Sequence, residues 1–379
     1  MSSAEGYARR CWVEVSLGQI VANFRAVQGL VGEQVEVMPV VKADAYGHGA
    51  TAVSRALEAA GARWFAVSHA GEGAALREAG IQARILVMAD LLPWEQELVL
   101  QHELTPVVHT LEQIRELDGV AQASGRRIAF HLKVDTGMHR LGVAPDAGAI
   151  VAALGRARRL QMEGIMTHLA SSADYTRDQT ERQLAIFGEL VAQLGRAGVA
   201  PRWVHVSSSN PLAFGRREAW RNMVRPGHVL YGYVSPPRGP APARVLEVRP
   251  ALSWKAVILA VKDVRAGAEI GYGAMYRAPR AMRIAVLAAG YADGYPHRLS
   301  NRGKVIAGGR LAPVLGAVSM DLTTIDISHA PQLRPGDTVT LLGREGEVAV
   351  DAQQIARWAG TISYSVLCGI SARVPRLYV

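Results

Sequence analysis

The segment VVKADAYGHGA (40–50) holds the first residues able to do chemistry. Lys42 closes an apolar run, and a Gly-rich turn and a helix pattern follow. A lysine at the C-terminal end of a barrel strand faces the region where such folds place active sites. Burial there disfavours the ammonium form, and an uncharged amine can form a Schiff base. The other reading is a strand-end lysine with its head in water. Tyr46 and Gly47-His48-Gly49 come next, and a phenol beside glycine backbone at a helix start suits a phosphate.

Further along, HLKVDTGMHRLG (131–142) gathers Lys133, Asp135 and Arg140 around one strand end. Arg140 can grip a carboxylate through two parallel hydrogen bonds, or pair with Asp135 at a rim. His168 in IMTHLAS and His205 in WVHVSSS sit late on strand-like runs. A lone strand histidine is commonly a core residue, whereas two at matching places on neighbouring strands point to a site. Ser209 ends a serine run able to donate to an anion. In NMVRPGHVLYG (222–232), Arg225 precedes Gly227 and His228, whose backbone N–H groups suit the phosphate position that barrels build after their last strands. Arg225 can equally be read as a strand-end arginine facing solvent. Beyond residue 250, EIGYGAMYRAP (269–279) sets Tyr272 between two glycines, where backbone can approach a ligand. GYADGYPHRLS (290–300) with Tyr291, VSMD (318–321) with Met320 and Asp321, and TISYSVLCGISARVPR (361–376) with Tyr364 read as turn-rich β segments with exposed tyrosines. No metal site is expected.

These residues need elements to hold them. Eight apolar runs beginning at 35, 63, 83, 104, 128, 160, 203 and 222 alternate with amphipathic stretches such as 49–61, 68–80 and 176–198. In the last stretch Leu184, Phe187, Leu190, Val191 and Leu194 recur at helical spacing. Eight strand–helix alternations fit a (β/α)8 TIM-like barrel, and the pattern alone leaves a doubly wound sheet open. The Pro-rich VSPPRGPAPARV (234–245) reads as a linker. Short β-like runs follow, so the expected organisation is an α/β barrel over 1–238 and a smaller, mostly β domain over 239–379. The first dozen or so residues are expected to pack with that second domain.

The chain has 379 residues, 49% of them hydrophobic and 20% charged, which excludes disorder as its main theme. No apolar run reaches the ~18–20 residues of a membrane span. The start, MSSAEGYARRCWVEVSL, has no apolar stretch of the signal-peptide kind, and Cys11 and Cys368 make no disulfide framework. A cytoplasmic location is therefore expected. The net charge of +9 comes with no run of five or more basic residues. Arginines fall in scattered pairs, so a preference for small anionic ligands is expected rather than nucleic acid.

Taken together, the ordered segments from VVKADAYGHG to SARVPR resemble the alanine racemases, two-domain pyridoxal phosphate enzymes of fold type III. The resemblance implies the barrel rather than the doubly wound sheet, and pyridoxal 5'-phosphate as cofactor. It implies that Lys42 forms the Schiff base and that Tyr46, Ser209, the backbone at Gly227 and His228, and Tyr364 hold the phosphate. His168 matches the residue beside the cofactor ring. Arg225 matches the arginine facing the pyridine nitrogen, and His205 the histidine supporting it. Tyr272 matches a catalytic tyrosine delivered by the partner of a head-to-tail homodimer with shared active sites. Arg140 and the backbone at Met320 match the contacts to the substrate carboxylate, and Tyr291 and Asp321 match entrance and pocket residues. Lys133 matches a lysine that is often carbamylated (N6-carboxylysine). Two bases, Lys42 and Tyr272, would interconvert L- and D-alanine to supply D-alanine for peptidoglycan precursors. A related racemase acting on serine or a broader set of amino acids is the nearest alternative. The sequence departs from the family at Ser208, where asparagine is usual, at Pro226-Gly227-His228, and at Ser319, where cysteine is common.

Overall fold

The computed structural model describes residues 9–379. They divide into two compact units, one of residues 18–45 and 50–249, the other of residues 9–17, 46–49 and 250–379.

The second unit includes β1 (Cys11–Val15). The first is built on eight parallel strands: β2 (Glu36–Val37), β3 (Trp64–Val67), β4 (Arg84–Val87), β5 (Thr105–Val108), β6 (Ile128–Lys133), β7 (Leu160–Met166), β8 (Trp203–His205) and β9 (Met223–Val224). Their order is β2-β9-β8-β7-β6-β5-β4-β3. The ring closes where Val40 bridges Ala66 in parallel. There Ala66 N donates to Pro39 O and Val41 N to Ala66 O, both at 2.9 Å. β2 is shorter than the apolar run 35–43 because Pro39 has no N–H for the ladder. Both faces of such a wall are covered, so β3 and β5 are buried at every residue. The helix Gln179–Arg196 buries Leu184, Phe187, Leu190 and Leu194, with Val191 half-buried. Helices cover the other 3.6-period stretches too, over Ala50–Ala59 and Ala70–Glu78.

The linker belongs with the barrel further than its prolines suggest. Asn23, 2% exposed, donates to Arg249 O at 2.9 Å and accepts from Arg249 N at 3.1 Å. That exchange ties residue 249 to the helix Leu17–Val31, so the division falls after Arg249, where composition had placed it at 238/239.

The remaining strands are β10 (Leu252–Val264), β11 (Glu269–Ile270), β12 (Tyr276–Arg277), β13 (Met282–Leu287), β14 (Lys304–Ala307), β15 (Arg310–Pro313), β16 (Thr323–Asp326), β17 (Thr338–Glu345), β18 (Val348–Val350) and β19 (Arg376–Tyr378). β10 is the spine of this unit: it pairs antiparallel with β1 and β17 and, past an irregularity at Ile258/Ala260, with β13. Alternate residues Leu252, Trp254, Ala256 and Ile258 face the core. Trp254 Nε1 donates to Cys11 Sγ at 3.0 Å, fixing β1 in this sheet. The expectation for residues 1–8 lies outside the described residues. β11 and β12 form a small hairpin whose connecting turn carries Tyr272. Two segments read as β are not: GYADGYPHRLS forms the 3-10 turns Tyr291–Asp293 and His297–Leu299 with Tyr295 fully buried, and TISYSVLC is helical. Ser363–Cys368 is a helix, in which the adjacent Val366 and Leu367 are both buried, a pattern no half-buried strand allows. Among the described residues no helix is long and apolar enough to cross a membrane.

Candidate active site

Five of the candidate residues lie at the C-terminal ends of barrel strands, hence at one end of the barrel. Lys42 follows the β2–β3 closure, Lys133 ends β6, His168 stands two residues past β7, His205 ends β8 and Arg225 directly follows β9.

Arg225 is the most constrained of them, at 3% exposed. Its Nη1 donates to His205 Nδ1 at 2.8 Å. Its Nη2 donates to Thr167 O at 2.9 Å and Val206 O at 3.1 Å, and reaches His168 Nδ1 at 3.4 Å. Burial draws the guanidinium down to about 9, which leaves it charged at neutral pH. An isolated buried cation would be expensive, and these acceptors offset part of that cost at roughly 1.5–3 kcal/mol for each charged hydrogen bond. Arginine has only donors to give, so Nδ1 of each histidine must hold a lone pair. Burial first, and then the Arg225 charge, push His168 down to about 3 and His205 well below its ordinary value. Both imidazoles are therefore neutral and carry their proton on Nε2.

Lys42 opens a six-residue turn, Lys42–Gly47, that is left-handed. Ala43, Asp44, Ala45 and Tyr46 have φ of 52, 53, 53 and 54°. Each non-glycine residue there costs roughly 1–2 kcal/mol, so the turn stores several kcal/mol of strain. Specific contacts hold it: Ala43 N donates to Glu72 Oε1 and Ala50 N to Asp44 Oδ1, both at 2.7 Å. Gly47 closes the turn at φ 81°, where a Cβ would overlap Leu367 O. Strain of this kind persists where the surroundings over-determine a functional segment.

The anion-compatible backbone lies after β9. Ser209 Oγ accepts from Gly227 N at 3.1 Å and Val229 N at 3.3 Å, at the start of the 3-10 turn His228–Tyr231. The His228 ring stacks on Tyr233 at 5.3 Å. Asn210 sits in the helix Ser209–Ala213 with its Oδ1 buried and unpartnered.

Lys133 is 6% exposed and donates to Leu141 O at 2.8 Å. Burial, then Arg140 and Arg225, bring its ammonium down to about 8. The rim pair Asp135–Arg140 is absent. Asp135 Oδ1 instead accepts the N–H groups of Gly137, Met138 and His139 at 2.9, 3.0 and 3.1 Å. A short loop that turns back on the carboxylate leaves it no room to face Arg140. Arg140 is exposed and has no ion pair among the described residues.

The other unit carries the rest. Tyr46 and Tyr364 pair with ring centroids 6.0 Å apart. Burial pushes the Tyr46 phenol up, so it stays a neutral donor. Tyr272 is 77% exposed, between Gly271 and Gly273. Tyr291 lies edge-on to His297, and Met320 O accepts from Ala292 N at 2.9 Å. Asp321 Oδ1 accepts from Arg373 Nη2 at 2.6 Å, while Arg373 Nε donates to the buried Asp293 at 2.7 Å.

Known proteins identify the family of the chain. Residues 15–236 match the family "Alanine racemase, N-terminal domain" and residues 251–378 match "Alanine racemase, C-terminal domain". The chain belongs to the alanine racemase family. It is 39% identical to an alanine racemase of Halothermothrix orenii over 98% of this chain and 97% of the relative. It superposes on the alanine racemase of Streptomyces lavendulae with a TM-score of 0.90 at 31% identity, covering 98% of each chain. The Bartonella henselae alanine racemase, described with covalently bound pyridoxal phosphate, gives a TM-score of 0.86 at 26% identity, covering 98% of this chain and 100% of that one. The activity is thus that of an alanine racemase, an isomerase.

Sequence reasoning missed Glu72, whose carboxylate holds Ala43 N and also Ser68 N at 2.7 Å. It missed Arg373, which ties Asp321 to Asp293, and the Thr167 and Val206 carbonyls that fix Arg225. Carbonyls leave no trace in side-chain identity. Glu72 is 29 residues from Ala43, beyond any local pattern.

Proposed function

We propose that the chain interconverts L- and D-alanine with two bases, Lys42 and Tyr272, on bound pyridoxal 5'-phosphate. The reading rests on one observation above the rest: a buried Arg225, charged at neutral pH, donating to Nδ1 of both His205 and His168. That cation suits a ring nitrogen that accepts and never receives a proton. The donor set fits the group as well. Lys42 offers an amine, Ser209 a hydroxyl beside the backbone at Gly227 and His228, Tyr46 a neutral phenol and Tyr364 a phenolic hydroxyl. When bound, pyridoxal phosphate withdraws electrons from the substrate Cα, and an arginine at its nitrogen keeps that withdrawal modest.

Racemisation removes a proton from one face of Cα and returns one to the other. A single base serves both faces poorly, so the Lys42 amine takes one and the Tyr272 phenol the other. A phenol with an unperturbed pKa of ~10 needs help to act near neutrality. Neutral His168, its Nδ1 occupied by Arg225, has an Nε2–H to donate to the phenolate. Arg140 and the Met320 N–H grip the substrate carboxylate, with Tyr291 and Asp321 lining its approach. Tyr272 comes from the partner subunit of a homodimer. The high exposure of Tyr272, Met275 (51%) and Met320 (54%) supports a second copy covering this face. The enzyme then works in the cytoplasm and supplies D-alanine to peptidoglycan.

Incubating the purified protein with L-alanine and pyridoxal phosphate, followed by chiral chromatography, is expected to yield D-alanine. Its absence from cofactor-loaded protein would overturn the reading.

Lys133 adds a pH dependence. With its ammonium at about 8 instead of 10.5, about a tenth of the side chain is uncharged amine at pH 7. That amine adds to CO2, releasing one proton and forming a carbamate anion between Arg140 and Arg225. The uncharged share rises as pH climbs through 8. Stripping CO2 and bicarbonate at pH 6 should therefore lower activity severalfold, and bicarbonate at pH 8.5 should restore it. A 13C-bicarbonate NMR signal in wild type and not in Lys133→Met would identify the adduct.

A further inference from the structure

Among the buried histidines that the roles above leave unassigned, His131 is the one hydrogen-bonded to His205. His131 is 0% exposed on β6, two residues before Lys133, so strand parity puts both on the same face of the barrel wall. Its Nδ1 lies 2.8 Å from His205 Nε2, and the rings meet edge to face at 4.9 Å.

The surrounding strands make room for this ring. A Cβ on Gly164 would stand 2.5 Å from His131 Nδ1. The β6–β7 register slips here: Phe130 faces Met162 and His131 faces Gly164, which leaves Glu163 as an extra residue. Bulges of this kind re-aim a side chain. Glu163 takes Arg84 through two hydrogen bonds of 2.5 and 2.6 Å. Arg84 covers Trp64 at 4.1 Å, and the Trp64 ring meets His131 at 5.5 Å.

Donor and acceptor logic runs inward from Arg225. His205 Nδ1 accepts from the guanidinium, so neutral His205 donates its Nε2–H, and His131 Nδ1 must accept it. His131 then carries its own proton on Nε2, a buried ring nitrogen with no partner. Burial, Arg84 and Arg225 keep this imidazole uncharged, at about 3. Packing alone does not explain an imidazole in this place. The edge-to-face ring contact contributes little beyond its burial, whereas a buried, unpaired N–H carries a desolvation cost that an apolar ring would avoid.

We propose that His131 is a positioning residue for the racemisation. As the acceptor at the inner end of the chain Arg225–His205–His131, it locks His205 in the Nε2–H tautomer and thereby fixes where Arg225 points. The inference rests on the reading that Arg225 faces the cofactor's ring nitrogen.

Two variants separate hydrogen bonding from packing. His131→Asn keeps an acceptor oxygen near the place of Nδ1 but leaves space unfilled. His131→Leu fills more of the space and has no acceptor. Each is compared with wild type in the pyridoxal phosphate-loaded enzyme by its L-alanine kinetics and cofactor absorbance band. Long-range 15N NMR on the protein without added cofactor reads the His205 tautomer. The expected results are an Nε2–H tautomer in wild type, a loss of about tenfold in kcat for His131→Leu with KM little changed and the band shifted, and return to within about twofold for His131→Asn. A His205 protonated at Nδ1, or a Leu variant that matches wild type while the Asn variant is the poorer, would overturn this role. Those results in a wild type that racemises alanine strike the His131 role alone. A loaded wild type that forms no D-alanine overturns the function and this role with it.

Discussion

Lys42→Ala is expected to abolish racemisation, with kcat falling by about 10^4-fold or more. A general base alone contributes about 10^2–10^4, and on the proposed reading this substitution also removes the amine that would anchor the cofactor covalently. The fold should survive. Lys42 is only half-buried, and the contacts that hold its turn come from Glu72, Asp44 and Gly47. The urea midpoint should therefore stay close to that of wild type, while the cofactor no longer survives gel filtration. Retained turnover in Lys42→Ala would assign the base elsewhere.

Tyr272→Phe removes a single oxygen from a residue that is 77% exposed, so stability should not change. Racemisation should fall by about 10^2–10^4-fold, because on the proposed reading the base for one face would be gone. Lys42 remains. The variant should still exchange the Cα hydrogen of one alanine enantiomer with solvent deuterium, and not that of the other. Equal loss of exchange for both enantiomers would mean that Tyr272 acts on binding or assembly and not on one face.

The architecture is readable from the sequence wherever local pattern and tertiary setting agree. The eight apolar runs become the eight barrel strands, and LSWKAVILAVKDV is β10 over its full length, with alternate residues buried from Leu252 to Ile258. Disagreement appears where distant contacts win. Nothing local announces the left-handed turn over Ala43–Tyr46: these are ordinary residues held by Glu72 and by chain geometry. Asp135 and Arg140 look like partners at five residues' spacing, yet the loop folds its own N–H groups onto the carboxylate first. TISYSVLC reads as a turn-rich β segment but buries the neighbours Val366 and Leu367, which a half-buried strand does not. His131 was within reach. It shares strand parity with Lys133, and only the pull of the lysine hid it. The clustering of Arg225, His168 and His205 shows the converse. Three residues spread over nearly 60 positions meet because their strands are neighbours in the barrel wall.

The two-base claim is tested most directly by following the Cα hydrogen. Wild-type enzyme is given L-alanine in D2O, and the first few per cent of product is analysed by chiral separation and mass spectrometry. Two bases acting on opposite faces predict that nearly every D-alanine molecule carries solvent deuterium, while unreacted L-alanine keeps its original hydrogen. D-alanine that retains the substrate's hydrogen in a large fraction would show one group carrying the proton across, and would contradict the pairing of Lys42 with Tyr272.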